Sequence, residues 1–305
     1  MKEAVDKYLR YLKVEKNASA HTITSYGTDL FQFLTFCSKQ FNCDEEAVSV
    51  RDIERLTIRL WLGELTDQQA QKSTIARKVA SIRSFFNYCF KRGLIEKKPT
   101  QLLLSPVTEN KLPKTIPAEG LSRMMELPDS TTASGAQEKA ILELFYSTGI
   151  RLNELIQLNK SDININLAQI TVLGKGAKQR SVPVGKQALN AVNQHLFMRN
   201  ELYGPQTDAD ARKALFLAAS GQRIYPRAVQ RLVKKYLTMA SEATQKSPHV
   251  LRHSFATHML DKGADIRIIK EFLGHGSLAS TQVYTHVSTE RLKKVYSQAH
   301  PRAKQ

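Results

Sequence analysis

Tyr284 lies downstream of His249-Val-Leu-Arg252 and of Leu273-Gly-His275, in a chain of 305 residues with a formal net charge of +17. A phenolic hydroxyl, a guanidinium and imidazoles gathered in the last third of a basic chain suit one reaction class. An oxygen nucleophile attacks a nucleic-acid phosphate, cations take the developing charge, and nitrogen bases move the proton. Ordinary readings exist for the same residues. Tyr284 has Val283 and Val287 nearby as packing partners, and an H-x-x-R pair equally suits a solvated helix face.

Ser247-Pro248 reads as a helix start, serine at the N-cap and proline at the first helical position. His249 and Arg252, three apart, then share a face at the positive end of that helix, where orphan backbone N–H groups already favour an anion. Arg151 precedes Glu154 by one turn, so the carboxylate can hold the guanidinium as a fork for two phosphate oxygens. A plain intrahelical salt bridge explains the pair as well. Lys175 sits between Gly174 and Gly176 at the tip of an expected hairpin, where a lysine can give a proton to a leaving oxygen. His253 and His258 are five apart, off one helix face, and have no carboxylate partner of the H-E-x-x-H type, so no metal is expected. Nucleotide-binding and serine-hydrolase motifs are absent too, which favours phosphoryl transfer without ATP, Mg²⁺ or another cofactor.

The charge is uneven: residues 1–110 carry a net +4 and the remainder a net +13. That excess points to a polyanionic partner. No run of 18 apolar residues occurs and the N-terminus is an amphipathic helical pattern without a signal-peptide core, so a cytoplasmic, non-membrane protein is expected. Cys37, Cys43 and Cys89 show neither disulfide nor zinc spacing.

The elements that must position these groups are mainly helical. Residues 2–15 form a first helix with Val5, Tyr8, Leu9 and Leu12 inward, and a second starts after Ser19 as N-cap. A third is expected from Ser49, with Ile53, Leu56, Leu60 and Trp61 inward. The fourth, capped by Ser73 and stopped by Gly93, packs through Ile75, Val79, Ile82, Phe86 and Tyr88. Its Arg77, Lys78, Arg83 and Ser84 are expected to face outward at spacings suited to DNA phosphates, or to form a merely solvated basic face. Three prolines between Ser105 and Pro117 mark a linker, dividing a helical domain, 1–104, from a second domain, 118–305. The second domain reads as mixed α/β, mostly α. Strands at 168–173 and 180–184 flank the Gly174-Lys-Gly176 turn as a small antiparallel sheet, with Pro183 marking an edge.

Gly149-Ile-Arg-Leu-Asn-Glu154, Gly174-Lys-Gly176, His249 to His258, Leu273-Gly-His-Gly-Ser277 and Thr281-Gln-Val-Tyr-Thr-His286 resemble, in order and spacing, the tyrosine site-specific recombinases of the phage integrase family, and within them the bacterial Xer group. The resemblance spans nearly the whole chain. It implies an N-terminal SAM-like core-binding domain and a tyrosine-recombinase catalytic domain that clamp double-stranded DNA. It also implies roles: Tyr284 as nucleophile forming a 3′-phosphotyrosyl link, and Arg151 and Arg252 stabilising the transition state. Lys175 would protonate the 5′ oxygen, His249 would assist proton transfer, His275 would bind the phosphate, and Glu154 would support the set. A tetramer on two sites, homomeric or with a second Xer recombinase, would exchange strands through a Holliday junction in chromosome-dimer resolution at cell division. An FtsK-type translocase would regulate it, and the tail from Arg291 to Gln305 would dock on a neighbouring protomer. Alternatives are an integrase of a mobile element, a type IB topoisomerase, or a DNA-binding protein without activity.

Overall fold

The computed structural model describes the chain except residues 105, 107–114, 175–178, 241–245, 275–294 and 303–305, and divides it into two compact units, Met1–Lys111 and Leu112–Gln305. Among the described residues it is mainly helical with one small antiparallel sheet, as the patterning predicts. No described helix is long and apolar enough to cross a membrane.

The first unit contains α1 (Lys2–Val14), α2 (Ala20–Phe41), α3 (Arg55–Asp67) and α4 (Lys72–Lys91). Ser19 caps α2 as expected, its hydroxyl accepting the Thr22 N–H at 3.2 Å. Tyr8, Phe33, Phe85 and Phe86 are fully buried in the shared core, each contributing about 1.5–3 kcal/mol of transfer free energy.

Two expectations fail here for one reason, the phase of a helix face. The third helix starts at Arg55 rather than Ser49, and its buried face runs through Ile58 and Trp61 with Leu62 and Leu65 packed beside them. Leu56 and Leu60 fall on the opposite side and are exposed. On α4, whose N-cap is Gln71 rather than Ser73, the buried positions Ile75, Val79, Ile82, Phe86 and Cys89 take Lys78 inward with them. Lys78 is 5% exposed. Its ammonium donates to Asp29 Oδ1 at 3.2 Å and to Gln32 Oε1, and lies 5.3 Å from the centre of the Trp61 ring. Burial of the charge is tolerated because a buried carboxylate and a π face replace water. Ser84 also turns inward, accepting the Tyr8 hydroxyl at 2.6 Å.

In the second unit α5 (Ala118–Met125) and α6 (Ala133–Thr148) precede the short α7 (Leu152–Gln157). Strands β1 (Ile163–Asn164), β2 (Gln169–Leu173) and β3 (Gln179–Pro183) form an antiparallel sheet in that order, so Pro183 does lie on an edge strand. Helices α8 (Lys186–Met198), α9 (Ala209–Lys213), α10 (Pro226–Ala240), α11 (Pro248–Asp261) and α12 (Ile266–Leu273) complete the unit. Helix α6 is buried along almost its whole length and packs on α8 and α11, which makes it the axis of the core. The described end of the tail packs on this same unit. The Tyr296 hydroxyl lies 2.6 Å from Ser147 Oγ, and Arg302 Nη2 donates to Glu143 Oε1 at 2.6 Å.

Candidate active site

Two helix ends create the site. Helix α6 stops at Gly149, with φ +59, and helix α12 stops at Gly274, with φ +62. The left-handed conformation at both turns suits glycine and leaves carbonyl oxygens pointing off the helix. At Gly149 space is also short: a Cβ would lie 2.5 Å from Phe255, a core residue of α11.

Those carbonyls hold arginines. Arg252, on the first turns of α11 behind Ser247 and Pro248, is buried; Nη1 donates to Gly149 O at 2.5 Å and Nη2 to Leu273 O at 2.7 Å. Arg151 is the N-cap of α7 and donates through Nη2 to Gly274 O at 2.9 Å. The expected pairing with Glu154 forms twice over. The Arg151 backbone N–H reaches Oε2 at 2.8 Å and Nη1 reaches Oε1 at 2.9 Å. Glu154 also receives Arg180, Nη1 to Oε1 at 2.8 Å and Nη2 to Oε2 at 2.9 Å.

Burial would raise the Glu154 carboxyl, but the hydrogen bonds from Arg180 and Arg151 outweigh it and hold it below the usual carboxylate range. Burial, then the neighbouring Arg151 and Arg180, pull Arg252 down to about 10, with Glu154 opposing. It is still a cation at neutral pH. Glu154 thus pairs directly with two arginines, Arg151 and Arg180, while Arg252 beside them is held on the Gly149 and Leu273 carbonyls. Three guanidinium groups gathered at the ends of α6 and α12 make a setting that favours an oxyanion.

His249 is exposed. It borders a cleft of about 290 Å³ with Leu152, which adjoins Arg151, and with Arg227, Arg231, Lys234 and Lys246. These basic residues were missed by sequence reasoning. On α10 Arg227, Arg231 and Lys234 occupy positions opposite the buried Val229, Val233, Tyr236 and Leu237, a helical alternation the sequence does contain. Arg180 was missed as well. Strand alternation puts it on the face of Val182, which is buried, and an arginine on a core face signals a paired charge. His258 has a packing role: its Nδ1 lies 2.9 Å from the Tyr146 hydroxyl, and burial lowers its pKa. Among the described residues no group of His, Cys, Asp or Glu is arranged to hold a metal.

The structure therefore brings Arg151, Glu154 and Arg252 together, with His249 on the adjoining cleft. Lys175, His275 and Tyr284 lie outside the described residues. In the first unit Arg77 pairs with Asp29 while remaining part-exposed. Arg83 donates to Leu103 O and borders a cleft with Asn87, Lys97 and Lys98.

The chain matches the family model described as phage integrase family over residues 114–291, and that described as phage integrase, N-terminal SAM-like domain, over residues 5–93. It is 39% identical to tyrosine recombinase XerC of Pelotomaculum thermopropionicum over 98% of each chain. To tyrosine recombinase XerD of Staphylococcus haemolyticus it is 35% identical over 99% of this chain and all of that one, 100%. In fold it resembles the XerH recombinase bound to a palindromic difH substrate, with a TM-score of 0.66 and 24% identity over 96% of this chain and 84% of that one. The Tn1549 transposon integrase in complex with circular intermediate DNA gives a TM-score of 0.69 and 18% identity over 95% and 98%.

Proposed function

The chain belongs to the phage integrase family as a Xer-type tyrosine recombinase, an enzyme that cuts and rejoins DNA, and from that premise we propose how its residues divide the reaction. The observation that carries the proposal is the convergence of Arg151 and Arg252, oriented by Glu154 and by the ends of α6 and α12.

Tyr284 is the nucleophile; its oxygen attacks the scissile phosphorus as its proton passes to solvent with the help of His249. Arg151 and Arg252 stabilise charge on the non-bridging oxygens as the pentavalent transition state forms. The bond from phosphorus to the 5′ oxygen breaks, and Lys175 supplies the proton that makes the leaving group a 5′-hydroxyl. His275 donates a hydrogen bond to the phosphate. The product is a 3′-phosphotyrosyl link, which a 5′-hydroxyl from a partner strand attacks in the reverse sense, so rejoining needs neither ATP nor a metal. The cleft lined by Arg227, Arg231, Lys234 and Lys246 takes duplex phosphates beside the scissile one. Arg77 and Arg83 of the first unit serve the same duplex, whereas Lys78 is committed to Asp29.

The biological reading is chromosome-dimer resolution at cell division. A tetramer on two recombination sites, assembled with itself or with a second Xer recombinase, exchanges strands in pairs through a Holliday junction under an FtsK-type translocase. Near-full-length similarity to relatives named XerC and XerD supports it. A duplex nicked just beyond the scissile phosphate traps the covalent adduct, because the freed short strand diffuses away. Wild type is expected to accumulate the adduct and Tyr284→Phe to form none. Adduct formation by Tyr284→Phe would show that the nucleophile lies elsewhere.

A further inference from the structure

Arg180 has no role in the reaction as described, yet it occupies the centre of the charge cluster. Its position follows from register. Arg180 pairs with Val172 across β2 and β3, two residues along from the pair Ile170 and Val182, so it shares the face of three buried apolar side chains. A guanidinium on a core face must spend its donors on protein acceptors. Arg180 does so on two separate elements. Both terminal nitrogens grip Glu154 of α7, and Nε donates to Phe272 O in the last turn of α12 at 3.4 Å.

Exposure separates it from its neighbour. The Arg151 side chain is 38% accessible, that of Arg180 19% and that of Glu154 4%. Arg151 therefore stands in front, where a phosphate can meet it, and Arg180 behind. The packing is close: a Cβ on Gly274 would lie 3.0 Å from the Arg180 guanidinium carbon. Gly274 is also the residue whose carbonyl holds Arg151. Arg180 thus reaches both anchors of Arg151, the carboxylate through two hydrogen bonds and the end of α12 through the Phe272 carbonyl.

We infer that Arg180 is a positioning residue for the transition-state charge: by gripping Glu154 and bracing the end of α12, it fixes the direction in which Arg151 faces the scissile phosphate. The two bonds to Glu154 keep that carboxylate ionised and in one rotamer, leaving its opposite edge for Arg151. The brace at Phe272 keeps the Gly274 carbonyl in register with the same guanidinium. A lysine cannot replace this geometry, since a single ammonium does not span both carboxylate oxygens in a planar fork. The inference rests on the assignment of Arg151 in the preceding subsection, and the test distinguishes the two.

Single-turnover cleavage is measured on a nicked duplex carrying a site that wild type selects from randomised DNA. The duplex is made in two forms, an ordinary phosphodiester and a methylphosphonate in which a charged non-bridging oxygen is replaced by a neutral methyl group. The proteins are wild type, Arg180→Met, Arg180→Lys and Arg151→Ala. Arg180→Met is expected to bind DNA within about threefold of wild type and cleave the phosphodiester about 30-fold more slowly, the usual scale for a group that orients a reacting one. On the methylphosphonate, where less charge needs compensation, its deficit relative to wild type shrinks to about threefold or less, in parallel with that of Arg151→Ala. Arg180→Lys falls between wild type and Arg180→Met, and should Arg180→Met fail to fold, Arg180→Lys carries the same two-substrate comparison. Equal deficits on both substrates would mark Arg180 as a purely structural residue and overturn the inference, as would wild-type cleavage by Arg180→Met. Absence of an adduct with wild type, or undiminished cleavage of the phosphodiester by Arg151→Ala, would instead overturn the underlying assignment.

Discussion

Two clusters in this molecule are built from the same parts and end differently. In the first unit the buried carboxylate of Asp29 takes Lys78 and Arg77, and Lys78 is closed over by Gln32 and the Trp61 ring. In the second unit the buried carboxylate of Glu154 takes Arg180 and Arg151, with Arg252 held nearby on Gly149 and Leu273 carbonyls. The deciding difference is what accepts the hydrogen bonds. A carboxylate cancels a full charge, whereas the carbonyl end of a helix orients a guanidinium and offsets only part of its charge. The Asp29 cluster therefore ties α2 to α4, and the Glu154 cluster holds its arginines oriented at the ends of two helices.

This contrast can be broken at several points. The largest expected effect is Arg151→Ala, which lowers single-turnover cleavage by about 10²- to 10³-fold while leaving DNA affinity nearly unchanged. Equal losses in binding and cleavage would make Arg151 an ordinary phosphate contact. Lys78→Met should act on stability alone, costing about 2–3 kcal/mol because Asp29 loses one of its two cations in a buried site. Trp61 is the chain's one tryptophan and lies in that unit, so its fluorescence during urea unfolding reports the loss directly. Gly274→Ala puts a side chain at φ +62 against Arg180, a strain of about 1–2 kcal/mol. Its expected signature is slower cleavage at constant affinity, which kinetics on the suicide duplex resolve. Smallest is Lys234→Ala in the cleft beside His249: weaker binding to all duplexes, and a slope of log affinity against log salt shallower by about one. An unchanged slope would remove that cleft from the DNA path.

Much of this was legible in the sequence, and the parts that were not share a cause. Helix starts set by local chemistry read correctly at Ser19 and Ser247-Pro248, because a cap depends on a few adjacent residues. The Arg151 and Glu154 pair was legible for the same reason, being one turn apart. Lys78 was not, since its inward turn depends on Asp29 and Trp61, each more than a helix away in sequence. Leu56 and Leu60 misled because leucine spacing alone leaves the phase of a helix open until Ile58 and Trp61 find their partners. Arg180 carried a readable signal, an arginine alternating with Val182 and Val184 on one strand face. Its partner Glu154, 26 residues earlier, was visible only in three dimensions.

One paired measurement separates the two clusters: DNA affinity and single-turnover cleavage on the same suicide duplex, for Arg252→Ala beside Lys78→Met. The carbonyl-held arginine is expected to lose about 10²-fold in cleavage with affinity within about threefold of wild type, because its charge is spent on the transition state. The carboxylate-closed lysine is expected to leave cleavage of bound DNA at the wild-type rate. Wild-type cleavage by Arg252→Ala, or an equal cleavage defect in Lys78→Met, would contradict the division between a charge held for the reaction and a charge closed within the fold.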